Sequence, residues 1–84
     1  MANEQVAAWQ KQIVRDPAIL AGKPTVRGTR IAVELILESL AGGWTVQELL
    51  DAYPTLTEQG IRAALAYGAQ AVRAERVFPI SVPE

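Results

Sequence analysis

Thr45 and Thr57 each stand at the head of an apolar-periodic run, and between them they fix where two helices must begin. A threonine hydroxyl just before a helix accepts a backbone N–H that would otherwise have no partner. Glu48, three residues after Thr45, completes a capping box, and Trp44 and Leu49 occupy the two positions of a hydrophobic staple. Leu56 and Ile61 repeat the staple around Thr57. Between the two runs lies Tyr53-Pro54-Thr55. The proline drives the tyrosine away from helical angles, so the first helix is expected to stop at about Ala52. The segment from Gly42 to Leu65 therefore reads as helix, tight turn, helix, the outline of a helix-turn-helix.

The 84 residues suffice for one domain. A chain of this size buries only about 60–65% of its unfolded surface, so a homodimer is expected to support a marginal core. Half of the residues are apolar and a fifth are charged, an ordinary balance for a globular protein. No cysteine or histidine is present, which removes disulfides, thiolate metal sites and the commonest general base. No nucleophile–base pair can be assembled on them, so no enzyme activity, metal or cofactor is expected. No apolar run approaches the ~18 residues of a membrane span, and the first residues lack a signal peptide's apolar core. A cytoplasmic location is the expectation.

The net charge is −1, but its distribution is uneven. No acidic residue falls between Asp16 and Glu34, whereas Lys23, Arg27 and Arg30 do. Glu34, Glu38, Glu48 and Asp51 follow and reverse the sign.

In chain order, residues 3–11 suggest a loose helix with Val6 and Trp9 on one side. Gln12 to Arg15 suggests a short strand stopped by Asp16-Pro17. Ala21 to Pro24 is a second turn and Thr25-Val26 a return strand, so the two pieces can pair as a small hairpin that must pack on the helices. A first core helix is expected from about Ala32 to Leu40, with Val33, Ile36, Leu37 and Leu40 as its apolar stripe and Gly42 as a left-handed C-cap. The second helix runs from about Val46 to Ala52 with Val46, Leu49, Leu50 and Tyr53 in its stripe. The third extends from the Thr57 cap to about Arg76, with Ile61, Ala64, Leu65, Gly68 and Val72 in line, roughly 28 Å long. Residues 1–11 form an N-terminal arm, 12–76 the helix-turn-helix domain and 77–84 a tail.

In a helix-turn-helix the second helix of the motif enters the major groove by its N-terminal residues. Those are Thr57, Glu58, Gln59 and Arg62; glutamine suits adenine and arginine suits guanine. The alternative is that they are ordinary exposed helix residues. Lys23, Arg27 and Arg30 are the candidates for phosphate, or else Arg27 and Arg30 pair with Glu34, Glu38 or Asp51 and hold the hairpin to the helices. Gly22-Lys23 lacks the spacing of a phosphate loop. Glu34 and Glu38 share a helix face that is expected to be solvated, and Trp9, Trp44 and Tyr67 are expected in a core or interface. The partner-binding candidates are Val72, Arg76, Phe78, Ile80 and Val82; the alternating apolar residues of the tail suit addition to a partner's sheet or groove, or folding back on the chain's own core or a dimer mate.

The run Asp16-Pro17, then Ala21-Gly22-Lys23-Pro24-Thr25-Val26-Arg27-Gly28-Thr29-Arg30-Ile31-Ala32-Val33, is particular in its spelling. With Gly43, Tyr53-Pro54, Leu56-Thr57 and Ala63-Ala64-Leu65-Ala66-Tyr67, it closely resembles the bacterial domain of unknown function 433 family over about residues 12–72. The resemblance implies an all-α, homeodomain-like three-helix fold with a short N-terminal β-hairpin. It also implies an antitoxin of a type II toxin–antitoxin pair, with a cognate PIN-like ribonuclease toxin as protein partner and its own promoter as duplex DNA partner. A stand-alone helix-turn-helix regulator and a protein-interaction module without DNA binding are the alternatives.

Overall fold

The structure is a computed structural model in which residues 9–74 are described. The order of elements is a 3-10 turn at Gln10–Gln12, β1 (Ile13–Val14), a second short turn at Leu20–Gly22, β2 (Thr25–Val26), α1 (Val33–Ala41), α2 (Val46–Ala52) and α3 (Glu58–Ala74). The fold is mostly helical: three helices and one two-stranded antiparallel sheet, with Ile13 opposite Val26 and Val14 opposite Thr25. Of the helix expected over 3–11, residues 10–12 form the 3-10 turn, and residues 1–8 lie outside those described.

Both helix starts follow from the threonines. At α2 the Thr45 Oγ1 accepts from the Glu48 N–H at 3.0 Å while the Glu48 Oε1 accepts from the Thr45 N–H at 2.8 Å, a complete capping box. At α3 the Thr57 Oγ1 accepts from the Gly60 N–H at 3.0 Å. Tyr53 closes α2 in extended conformation, and its carbonyl accepts from the Leu56 N–H across the proline turn at 2.9 Å.

The end of α1 differs from the expectation by one residue. Gly42 sits at φ −85°, and Gly43, at φ +103°, takes the left-handed position. The Trp44 N–H donates to the Ser39 carbonyl at 3.0 Å and the Gly43 N–H to that of Leu40 at 3.1 Å. These are the two bonds of a Schellman motif with Gly43 at its centre, and they absorb carbonyls that α1 leaves open.

The core lies where the three helices and the hairpin meet. Val26, Val33, Ile36, Leu49, Leu56 and Ile61 are buried in it, and Leu37, Leu40, Leu50 and Tyr67 pack against it half-buried. Thr25 is fully buried, its hydroxyl donating to the Val14 carbonyl at 3.4 Å. The face of α3 that is buried runs through Gly60, Ile61, Ala63 and Ala64. Leu65 and Val72, expected in that stripe, are 47% and 67% exposed. For Val72 the cause is length: α1 has 9 residues against 17 in α3, so the last turns of α3 run past the helix they pack on. Leu65 precedes Gly68, which still lies against Leu37 of α1, and is exposed because it falls to the side of the buried face. Val46 also leaves its expected stripe and is exposed at the start of α2. Trp9 packs edge-on against Tyr67, ring centroids 6.1 Å apart, and Trp44, 43% exposed, lies outside the core.

Candidate functional site

Gly60 joins the hairpin to the start of α3. A Cβ at this position would stand 3.0 Å from Cγ1 of Val26 and 3.3 Å from Cδ1 of Leu56, so glycine lets β2 lie directly on the first turns of the helix. Arg27 follows Val26 in sequence, and the Val26 N–H donates to the Ile31 carbonyl at 3.1 Å. The turn 27–30 is therefore closed at its base and begins beside Gly60. Its interior is fixed by Thr29, whose hydroxyl donates to the Val26 carbonyl at 2.8 Å and accepts from the Ile31 N–H at 2.9 Å. Gly28 provides the positive φ of +82° that the turn needs.

The turn bearing Arg27 and Arg30 thus begins beside the first turns of α3, where Glu58, Gln59 and Arg62 are exposed. Glu58 and Arg62, two residues either side of Gly60, lie on the side of the helix away from β2. Thr57 is committed to its cap. Arg62 reaches back one turn to Glu58 at 3.8 Å, both side chains more than half exposed. A pair this exposed is worth at most a few tenths of a kcal/mol, so it leaves Arg62 able to exchange partners.

The basic residues divide three ways. Lys23 pairs with Glu34 at 3.6 Å, again on the surface, and so ties the segment before β2 to α1. The Arg27 Nε donates to the Lys11 carbonyl, while its backbone N–H donates to that of Gln12 at 2.7 Å. The expected alternative, Arg27 and Arg30 held by Glu34, Glu38 or Asp51, is not what forms. One N–H of the Arg27 guanidinium is committed to the backbone of the 3-10 turn that precedes β1, and the carboxylate bridge is made by Lys23. Arg30 is exposed and has no ion-pair partner among the described residues.

Of the partner-binding candidates, Val72 is exposed on α3, and Arg76, Phe78, Ile80 and Val82 lie outside the described residues. Among the described residues no cluster of His, Cys, Asp and Glu is arranged to hold a metal, and no helix is long and apolar enough to cross a membrane.

The turn expected from Ala21 to Pro24 starts one residue earlier, at Leu20, and in a conformation not foreseen. Leu20, Ala21 and Gly22 are successive residues at positive φ (50°, 57° and 87°), a left-handed turn that leads into Lys23. Only Gly22 signals it in the sequence.

A family model described as "Protein of unknown function (DUF433)" matches residues 13–68. The chain belongs to the DUF433 family. The match runs from β1 to Gly68 on α3, and so takes in both the hairpin turn and the start of α3. The uncharacterized protein y4eO of Sinorhizobium fredii (strain NBRC 101917 / NGR234) is 37% identical over 82 residues, which are 96% of this chain and 37% of that protein. This chain thus spans little more than a third of that relative's length. The crystal structure of a DUF433 member protein from Anabaena variabilis ATCC 29413 superposes with a TM-score of 0.70 at 32% identity, covering 86% of this chain and 71% of the other.

Proposed function

We propose that this DUF433 chain is the antitoxin of a type II toxin–antitoxin pair, a homodimer that neutralises a PIN-like ribonuclease toxin and binds its own promoter through a homeodomain-like helix-turn-helix. The toxin and the pairing come from what the family resemblance implies. The DNA-binding part is supported by one observation: the contact between Val26 and Gly60, which brings the arginine turn 27–30 beside the exposed first turn of α3. In this reading α2, the proline turn and α3 form the motif. Gln59 and Arg62 face base edges, and Arg30 a phosphate. Lys23 and Arg27 act mainly in holding the turn.

A module that binds protein without DNA is the second reading, favoured by Glu58, whose carboxylate shares the first turn of α3 with Gln59 and would repel phosphate. The deciding experiment has two arms. Co-expression with the neighbouring reading frame should rescue growth from that protein's toxicity and yield a complex on purification; an inert neighbour overturns the toxin reading. Binding to the chain's own promoter fragment across a salt series should weaken steadily as salt rises. Failure to bind at low salt removes the DNA reading and leaves the protein module.

A further inference from the structure

A shallow groove of about 640 Å³ opens at the junction of α1 and α2, lined by Gly42, Gly43, Trp44, Glu48, Asp51 and Ala52. The indole in it is the largest side chain left in solvent, 43% exposed, whereas its staple partner position, Leu49, is fully buried. The backbone that carries this indole is held in place. The Trp44 N–H is bonded to Ser39, the next residue heads the capping box, and the two preceding glycines put no side chain over the ring. A large aromatic that is both exposed and anchored by its backbone loses little freedom on binding, the property of an interface hot spot.

The groove's charge selects the occupant. Glu48 uses Oε1 in the cap and Asp51 uses Oδ1 to accept from Gln47 at 2.9 Å, which leaves one oxygen on each carboxylate. Among the described residues neither is in an ion pair; those pairs are Lys23–Glu34 and Glu58–Arg62. Two carboxylates repel phosphate, so nucleic acid is the wrong occupant. A cation with a flat face is the right one, because it can lie on an indole and donate to two carboxylates at once. Guanidinium has that shape and ammonium does not.

We propose that this groove receives an arginine side chain from a partner protein, stacked on Trp44 and bonded to Glu48 and Asp51. The site is separate from the arginine turn and the start of α3, and it stands whether or not the partner is a toxin.

The test is a titration of the ¹⁵N-labelled full chain with acetyl-Ala-Arg-Ala-amide, followed by NMR. The control is the same peptide with citrulline, which keeps the shape and removes the charge. The Trp44 indole signal, assigned by its loss in Trp44→Leu, and the Gly43 and Asp51 amides should move saturably with the arginine peptide. The citrulline peptide, and the arginine peptide on Trp44→Leu, should bind at least about threefold more weakly. Glu48→Gln keeps the capping box, since glutamine serves at that position; combined with Asp51→Asn it should abolish saturation. Should the double variant unfold, Asp51→Asn alone carries this arm, with at least a twofold loss expected. An equal response to citrulline, groove signals that stay still, or binding that survives these variants overturns the proposal. So does a duplex oligonucleotide that moves the same groove signals.

Discussion

Ala21 holds a backbone conformation, φ 57° and ψ 31°, that brings its Cβ against the following carbonyl. Relief of that crowding by Ala21→Gly is worth about 1–2 kcal/mol, offset by about 0.4–1 kcal/mol from the freer unfolded chain. The variant should therefore be more stable by up to about 1.5 kcal/mol in urea denaturation; a loss of stability would mean that the methyl group makes contacts that outweigh its strain. Thr57→Ala removes the acceptor for the Gly60 N–H and should cost about 1 kcal/mol by the same measurement. The contrast explains what could be read from the chain. A cap depends on residues within one turn of each other, so Thr45 and Thr57 announced their roles. The left-handed turn at 20–22 depends on backbone angles for which Leu20 and Ala21 carry no mark. Gly42 and Gly43 are adjacent and chemically alike, so the sequence placed the C-cap to within one residue and no better.

The two glycines inside α3 make a matched pair of tests. A Cβ on Gly60 meets Val26, which is β-branched and 3% exposed, and also the buried Leu56. Neither side can give way, so Gly60→Ala should lose about 1–3 kcal/mol to overpacking, more than the roughly 1 kcal/mol gained in helix propensity. A Cβ on Gly68 comes as close, 3.0 Å, but to the tip of Leu37, a longer and half-buried side chain. Gly68→Ala should fall within about 0.5 kcal/mol of the parent, since propensity then offsets a small shift. Thermal unfolding of the two variants reads the difference directly. At this scale the helices were legible from their periodicity and their caps. The burial of α3 was not, because a helical period records which residues share a face but not where the neighbouring helix ends. Val72 lies beyond the end of α1, and Leu65 lies to the side of the face that α1 covers.

For the molecule as a whole, a small core makes self-association measurable as stability. If the chain is a homodimer, its melting temperature should rise with protein concentration over a hundredfold range, and a constant value would make it a monomer. The candidate site also has a whole-molecule readout. Arg30→Ala should leave folding unchanged, because the residue has no ion pair among the described residues to lose. In promoter binding it should reduce the slope of log affinity against log salt by about 0.9 per subunit. An unchanged slope would take Arg30 off the phosphate. The site's components were visible in the sequence as a basic stretch and a helix start. Their juxtaposition was not, since it depends on Val26 finding the one position in the first turn of α3 that has no side chain.

Between the last bond of α1 and the first of α2 only a few residues intervene, and every one of those bonds is made within the stretch 38–49. Such a corner needs no distant part of the chain to form, so little loop-closure entropy opposes it early in the refolding reaction. Thr45→Ala is then expected to slow refolding in proportion to its loss of equilibrium stability, a φ-value near 1, while unfolding keeps its parental rate.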